Sequence, residues 1–368
     1  MKKSNVTACI AGVCFLILIL DAKTALQGAL DGVGLCLQAL IPSLFPFFIL
    51  SMLLTSSLMG QRIPFLAPIG RLCGMPKDSE SLLIVGLLGG YPVGAQAVTQ
   101  SFESGQLSKE DARRLLGFCN NAGPAFLFGI VASRFSSMTE VWTLWAIHIL
   151  SALITGLSLP GRSKNFTVLK QKKPLTLSKA LERSIKVMAQ VCGWVVLFRI
   201  VIAFFSRWFL WLFPGWVQTL LIGLTELANG CYELANIDID GLRFVIASGI
   251  LSLGGLCVAM QTLSVTGNLG TGLYFPGKAI QSLVSLILSG LSQYFLFPAE
   301  ERFNALPLIT IAATALILLQ ILLKKKKKVV AFPAPMVYNR EKENLEVFVC
   351  SFGSGSKNPA PTASSAQN

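Results

Sequence analysis

Two stretches of glycine and polar residues interrupt apolar segments of this chain and match each other in sequence. Residues 89–96 read GGYPVGAQ, and residues 254–261 read GGLCVAMQ, at an offset of 165 positions. Both stretches end in a glutamine, Gln96 or Gln261, whose carboxamide can donate and accept hydrogen bonds and therefore suits a polar solute. Glycine- and proline-interrupted segments at matching places in two halves of a membrane protein indicate the binding site of a transporter. The alternative is that each glutamine joins two membrane helices by a hydrogen bond.

The first stretch contains residues that break a helix. Gly86, Gly90 and Gly94 recur at every fourth position and, in a helix, would form a bare face that another backbone can approach closely. Pro92 lacks an N–H and disfavours helical geometry at Tyr91. Inside a membrane, the freed backbone groups must bind protein, water or a ligand. We therefore predict a broken segment, with a kinked and tightly packed helix as the alternative.

The second stretch has fewer such residues. Cys257 stands where the first stretch has Pro92, and Ala259 stands where it has Gly94. We expect a more regular segment there, so that the two stretches are not functionally equivalent. The predicted structural positions are Gly86, Gly89, Gly90, Pro92, Gly94, Gly254 and Gly255.

Polar side chains in two other apolar stretches extend the predicted site. Asn120 and Asn121 precede Gly-Pro at the start of an apolar stretch, where they would cap a helix or direct its free N–H groups at a ligand. Glu226 and Asn229 lie within the apolar residues 216–236, and a carboxylate inside a membrane is costly and indicates function. The predicted solute-binding residues are Tyr91, Gln96, Asn120, Asn121, Asn229 and Gln261.

Glu226 is the predicted coupling residue, which would bind a proton or Na⁺. The alternative is that it forms a structural ion pair with Arg199 or Lys278. His148 is the single histidine of the chain and has no carboxylate or cysteine near it in sequence, so we interpret it as a structural residue rather than a metal ligand. We expect no metal and no cofactor.

The composition places these residues in a membrane protein. The 368 residues are 53% hydrophobic and only 13% charged, and the mean hydropathy is +0.64. The net charge is +13, and the basic residues that cause it lie between the apolar stretches. Positive charge in these places marks cytoplasmic loops and contacts with anionic lipid, so we do not expect binding to nucleic acid. The nine cysteines form no Cys-x-x-Cys pair. Nucleophile elbows, zinc-protease motifs and phosphate loops are absent from the sequence, so we do not expect an enzyme.

The elements that position the site are predicted to be membrane helices. The candidate spans are 6–20, 39–58, 115–133, 141–159, 187–213, 216–236, 279–297 and 306–323. Basic residues at Lys2 and Lys3, in the loop 162–186 and at Lys324–Lys328 should face the cytoplasm, together with both termini. This charge pattern favours eight spans plus two re-entrant segments, 81–99 and 244–266, in an all-α protein built as two related halves. The alternative is ten spans, in which case the halves would be inverted rather than parallel.

Four regions follow from this pattern. Residues 1–160 form the first membrane half, 161–186 a basic cytoplasmic loop, 187–328 the second membrane half, and 329–368 a Pro-, Gly- and Ser-containing tail that we expect to be disordered.

The two motifs in order, GGYPVGA at 89–95 and CNNAGP at 119–124, resemble those of bacterial sporulation integral membrane proteins with a nucleoside-recognition Gate domain, the YlbJ type. The resemblance extends from about residue 35 to 325 and includes residues 254–261. It implies a spore-forming source and a role in assembly of the spore cortex or envelope. It also implies a pore or gate in the cell membrane, with a nucleoside-like solute by association.

We therefore expect a transporter-like or gate-like protein for a small polar solute, whose two interrupted segments meet near the middle of the membrane. The alternative is a non-transporting scaffold that recruits spore-assembly proteins through the basic loop and the tail. The expected partners are membrane lipid, the solute, and either a second copy of the chain or sporulation proteins.

Overall fold

The computed structural model describes residues 3–58, 61, 63–161 and 175–330. Every regular element in these ranges is helical and none is a strand, which confirms the predicted all-α class. Half of the predicted basic loop 161–186, namely residues 162–174, lies outside the described residues, as does the predicted disordered tail from 331 onwards.

The helices before residue 162 include one long bent element and several short ones. A π-helical turn, Cys36–Leu40, joins α2 to α3 in one helical run, Ala22–Leu58. The bounds are α1 Lys3–Leu20, α2 Ala22–Leu35, α3 Ile41–Leu58, α4 Ala67–Leu72, α5 Glu80–Leu88, α6 Val93–Glu103, α7 Lys109–Leu115, α8 Pro124–Arg134 and α9 Met138–Ser158.

The helices after residue 174 begin with the longest regular helix. The bounds are α10 Leu177–Trp208, α11 Gly215–Thr225, α12 Leu227–Glu233, α13 Asp240–Leu253, α14 Gly255–Thr266, α15 Tyr274–Leu296 and α16 Leu306–Val330. Helix α10 begins ten residues before the predicted start at 187, so residues 177–186 belong to a helix rather than to the basic loop. It packs along α2, where Gly28 and Gly32 leave no side chain between the two backbones.

Six helical segments of the described chain are long and apolar enough to cross a membrane, rather than the eight predicted. They are Ala22–Leu58, α9, α10, Asp240–Leu269, α15 and Leu306–Lys325. Val6–Leu20, α8 and α11 are apolar but shorter. Two predicted spans are wrong as single helices, because the chain leaves helical geometry at residues 119–123 within 115–133 and at Glu226 within 216–236.

Each of these interruptions has a local cause. Gly123 is extended (φ −84°, ψ 165°), and Pro124 then starts α8 without needing a donor N–H. Glu226 is also extended (φ −144°, ψ 122°), and its carboxylate accepts hydrogen bonds from the N–H groups of Ala228 and Asn229. A hydropathy pattern records only that these residues are apolar on average, so it could not detect that one helix ends and another begins.

Two pairs of short helices fold back on themselves as helical hairpins. In the first hairpin, α5 and α6 are connected by residues 89–92, and a Cβ at Gly94 would lie 3.1 Å from the Cα of Gly86. The Cys119 carbonyl oxygen lies against both glycines, 2.3 Å from a Cβ at Gly86 and 2.2 Å from one at Gly94. In the second hairpin, α11 and α12 reverse at Glu226, and a Cβ at Gly230 would lie 2.1 Å from the Cα of Gly223. The predicted break in the first stretch is therefore present, and its glycines close the two arms of a hairpin instead of forming one helix face.

The second glycine stretch is more regular, as predicted. Helix α13 ends at Leu253 and α14 starts at Gly255, with Gly254 (φ +83°) and Gly255 (φ +74°) in the left-handed region that favours glycine. The two helices do not pack against each other as the arms of a hairpin do. The segment 244–266, predicted to be re-entrant, lies within Asp240–Leu269, which is long and apolar enough to span a membrane.

Candidate functional site

The interrupted segments meet around one buried lysine. Lys278 lies in the second turn of α15 and is 2% exposed. Its Nζ donates hydrogen bonds to Tyr91 Oη (3.1 Å), Asn121 Oδ1 (3.1 Å) and Gln281 Oε1 (2.7 Å). These oxygens belong to the tip of the first hairpin, to the extended segment 119–123 and to α15 itself. One ammonium group therefore joins three elements.

Hydrogen bonds extend this cluster to the break at Gly254. Tyr91 Oη donates to the carbonyl of Leu251 at 3.3 Å, near the end of α13. Gln281 Nε2 reaches the carbonyl of His148 at 3.5 Å, and His148 Nδ1 lies 3.3 Å from Ser252 Oγ. The tip of the first hairpin is thus bonded to the residues that precede the second glycine pair.

The adjacent asparagines join different elements, and neither side chain caps α8, which was one of the two interpretations of their position. Asn120 Oδ1 accepts from the N–H of Ala95 in the first turn of α6, and its Nδ2 donates to Thr262 Oγ1 in α14. The Asn121 N–H donates to the carbonyl of Gly86, while its Nδ2 donates to Phe118. The two side chains are fully buried. Asn120 thus caps α6, a helix that precedes it in the chain, because the extended segment lies between the arms of the first hairpin and α14.

A small central cavity lies where the tips of the two hairpins approach each other. Its volume is ≈ 40 Å³, which is enough for a few water molecules. The tip of the first hairpin contributes Gly89–Tyr91, the second contributes Glu226–Ala228, and α14 contributes Val258 and Gln261. The remaining wall consists of apolar residues of the π-helical turn, α3, the end of α5, the segment 122–126 and α10, namely Leu40, Leu44, Phe47, Phe48, Leu88, Ala122, Gly123, Ala125, Phe126, Val191 and Val195.

Two larger cavities lie along α10 on opposite sides of the central cavity. The Gln96 cavity (≈ 530 Å³) is lined by Gln96, Gln100 and Glu103 of α6 and by α10 between Arg183 and Gln190. The Asn229 cavity (≈ 480 Å³) is lined by α2, Arg199 of α10 and the second hairpin, including Asn229 and Glu233. From its start to its end, α10 therefore lines first the Gln96 cavity, then the central cavity and then the Asn229 cavity. The helical run Ala22–Leu58 lines the same three cavities in the opposite order, starting with the Asn229 cavity.

The predicted site residues are divided among these places. Tyr91, Asn120 and Asn121 take part in the buried hydrogen-bond cluster. Gln261 lines the central cavity together with Glu226, and its Nε2 lies 3.3 Å from Cys257 Sγ. Gln96 and Asn229 line the two outer cavities. The two matching glutamines therefore do not face one cavity, because the first follows the reversal of a hairpin and the second follows a break without reversal.

Glu226 forms an ion pair with neither Arg199 nor Lys278, the two cations considered as its partners. Its carboxylate is 2% exposed and accepts from Ala228 N, Asn229 N and Asn229 Nδ2. Arg199 instead pairs with Asp31 at 3.0 Å. The structural role of Glu226 is to cap α12, while its position on the central cavity leaves the proposed coupling role in place.

Sequence reasoning missed Lys278 and Gln281 as members of the cluster. Lys278 is the only charged residue in α15, and this isolated charge in an apolar helix was the available signal. His148 packs at the edge of the cluster, as a structural residue would, and its Nε2 has no partner among the described residues.

Comparisons with known proteins identify a relative. No family model matches the chain, and no solved structure matches it. The chain is similar to the "Sporulation integral membrane protein YlbJ" of Bacillus subtilis (strain 168), with 27% identity over 291 residues that cover 66% of this chain and 71% of that protein. This agrees with the resemblance carried by the motifs at 89–95 and 119–124. The chain is therefore a multi-pass integral membrane protein similar to the sporulation integral membrane protein YlbJ.

Proposed function

We propose that this chain is a transporter-like or gate-like protein of the cell membrane, that it acts in spore formation, and that it passes a small polar solute. The observation that supports this function is the order of three cavities along α10, in which the narrow central cavity is bounded by both hairpin tips. Polar side chains line the outer cavities and apolar ones close the centre, which is the arrangement expected of a closed solute path. The role in spore formation, in cortex or envelope assembly, rests on the relative.

The proposed topology has eight crossings and two re-entrant hairpins. The crossings are α1, α2–α3, α7–α8, α9, α10, α13–α14, α15 and α16, and the hairpins are α5–α6 and α11–α12. With the N-terminus inside, this order leaves Arg71, Lys77, residues 162–174 and the C-terminal lysines in the cytoplasm. It leaves Asp238, Glu300 and Glu301 outside.

In this topology the two halves are inverted. Residues 80–158 and 215–296 each consist of a hairpin, an interrupted crossing and a continuous crossing helix. The first hairpin enters from the cytoplasm and the second from outside, so that their tips meet between the two outer cavities. The corresponding glycine pairs are then Gly86/Gly94 and Gly223/Gly230, rather than the pairs related by the 165-residue offset.

In this mechanism the solute enters the Asn229 cavity from outside and leaves through the Gln96 cavity, or moves in the reverse direction. Movement of a hairpin tip opens the central cavity, where Tyr91, Gln261 and Glu226 contact the solute. Glu226 is the proposed coupling residue because it is the carboxylate that lines the central cavity.

Cysteine accessibility tests the path without knowledge of the solute. We would introduce cysteine at Gln190 in the Gln96 cavity and at Gln38 in the Asn229 cavity, and treat spheroplasts or inside-out vesicles with a membrane-impermeant methanethiosulfonate. Peptide mass spectrometry identifies the labelled position, so the native cysteines stay in place. We expect Gln190→Cys to react only from the cytoplasmic side and Gln38→Cys only from outside.

Leu197→Cys is the matched control, because Leu197 lies on the same helix and is 51% exposed on the apolar surface. It should react from neither side. Labelling of both cavity positions from the same side would contradict the path.

The alternative function is a scaffold that does not transport. It predicts that removal of 162–174 and of 331–368 abolishes spore formation, whereas Gln96→Ala, Asn121→Ala and Glu226→Gln each leave spore yield unchanged. The deletion stops at 174 because residues 177–186 are part of α10. A loss of spore yield in the three variants, at normal expression, supports the path instead.

A further inference from the structure

Lys278 is buried without a counter-ion. Lys278 takes part in none of the ion pairs Arg199–Asp31, Arg207–Asp21 and Arg243–Asp240. Its three hydrogen-bond acceptors are a phenol and two carboxamides, all of them neutral. A buried cation held only by neutral groups destabilises a fold relative to an apolar residue, so stability alone does not explain it.

The oxygen atoms around Lys278 have the arrangement of a cation-binding site. They come from a hairpin tip, an extended segment and a helix, and irregular backbone of this kind holds the coupling cations of transporters. The Tyr91 ring also lies 5.1 Å from Nζ and adds a cation–π contact.

The proton on Lys278 determines whether all these contacts can be made. The ammonium has three hydrogens for three oxygens, whereas a neutral amine has only two. If the amine keeps Asn121 and Gln281, Tyr91 loses its donor. If Tyr91 turns its own hydrogen to the amine, its bond to the carbonyl of Leu251 is lost. In either case the tip of the first hairpin is held less firmly.

The other titratable groups near Lys278 are uncharged side chains. Tyr91 faces it from the hairpin, Cys119 from the extended segment and His148 from α9, and Tyr274 lies about one turn before it in α15. Helix α13 offers the Leu251 carbonyl and Ser252, and no carboxylate of the described residues pairs with Nζ. Glu226 faces the same hairpin tip across the central cavity, so a titration of the tip is assigned to this amine by its loss in Lys278→Met.

We propose that Lys278 is a built-in cation whose proton holds the tip of the first hairpin closed, so that this protein couples solute movement to protons and does not use Na⁺ at this position. On opening, the ammonium releases one proton to water and becomes a neutral amine. On closing, it takes one proton back. The inference rests on the proposed function, in which the hairpin tip is a gate.

Hydrogen exchange of the backbone amides tests this inference without a solute. The full-length protein in lipid nanodiscs is compared at about pH 5.5, about pH 7 and about pH 9.5, with rates divided by the intrinsic rates of unstructured peptide. We expect the amides of 89–95 to lose about tenfold in protection as the pH rises, which is the size of one lost hydrogen bond. The amides of 308–318 in α16, a stretch without titratable side chains, serve as the internal control and should not change.

Two variants test whether the change in protection depends on the proton of Lys278 rather than on the stability of the whole fold. In Lys278→Met the protection of 89–95 should be about tenfold lower at pH 7 and independent of pH. Tyr91→Phe, which keeps the lysine and removes the hydroxyl, should give the same result if the methionine variant does not fold. Replacement of choline by Na⁺ at about 0.15 M should change nothing in the original chain.

Three results would overturn the inference. They are unchanged protection of 89–95 in both variants, the same pH dependence of that protection in Lys278→Met and in the original chain, or a higher protection of 89–95 when Na⁺ replaces choline. None of them bears on the cysteine labelling of the two outer cavities, so failure of the gate and failure of the path can be distinguished.

Discussion

Replacement of Gly255 by alanine should destabilise this protein by much more than the same change at Gly105. The two glycines have nearly the same backbone angle, φ +74° and φ +76°. A Cβ at Gly255 would lie 2.7 Å from the carbonyl oxygen of Gly223 and 3.1 Å from that of Leu224, whereas nothing lies within 4 Å of a Cβ at Gly105. Both alanine variants therefore have the energetic cost of left-handed backbone geometry, but only the alanine at Gly255 would also collide with the carbonyl oxygens of Gly223 and Leu224.

The magnitudes follow from these two terms. Left-handed geometry costs an alanine about 1–2 kcal/mol, which is the whole effect expected for Gly105→Ala. At Gly255 the obstructing atoms are backbone carbonyls of the second hairpin, which cannot rotate away, so overpacking adds about 1–3 kcal/mol. We therefore expect about 2–5 kcal/mol for Gly255→Ala.

The assay is reversible unfolding of the purified variants in mixed micelles with increasing denaturing detergent, followed by tryptophan fluorescence. Equal free energies of unfolding for the two variants would refute the reasoning, because they would show that the second hairpin does not lie against the break at Gly254–Gly255.

Three further predictions concern the buried contacts and the topology. Asn120→Ala removes the acceptor of Ala95 N–H and the donor to Thr262, and should lower the free energy of unfolding by about 2–4 kcal/mol in the same assay. Asn304→Ala, which removes a contact of an exposed residue, should cost less than about 1 kcal/mol, and an equal cost would contradict the cross-fold cap. Cysteines placed in 234–239 should react with impermeant reagents from outside the cell, whereas those in 267–273 should not; the opposite pattern would refute the inverted halves. Glu226→Gln, which keeps the shape of the cap and removes its charge, should reduce spore yield if the carboxylate has the coupling role, with Glu233→Gln in the Asn229 cavity as the control.

Local sequence signals located the interruptions but not their consequences. The glycines and Pro92 indicated a break in 81–99, and Asn120–Pro124 marked the start of a helix, which the structure places at Pro124. Glu226 stood out as a charge in an apolar stretch. Each of these signals is a property of a few neighbouring residues, so it can be read without knowledge of the fold.

The partners of these residues could not be read in the same way. Asn120 caps α6 rather than its own helix, and Glu226 caps α12 instead of pairing with Arg199 or Lys278. A hydrogen-bond donor at the correct distance is supplied by a distant part of the chain, and several arrangements satisfy the same local preferences. Lys278 was considered only as an ion-pair partner of Glu226, because its acceptors, Tyr91 and Asn121, are more than 150 residues away in sequence.

The sequence by itself determined that this protein is helical, that it is embedded in a membrane and that its helices are interrupted near Gly89, Asn120 and Gly254. Apolar composition and the conformational preferences of glycine and proline are sufficient for those conclusions. Only the tertiary structure decided whether the chain reverses or continues at each interruption. It reverses where two glycines on the arms meet, as Gly86 meets Gly94 and Gly223 meets Gly230, and continues at Gly254, where no such pair forms. That choice depends on contact between backbones, and the same apolar composition satisfies both outcomes.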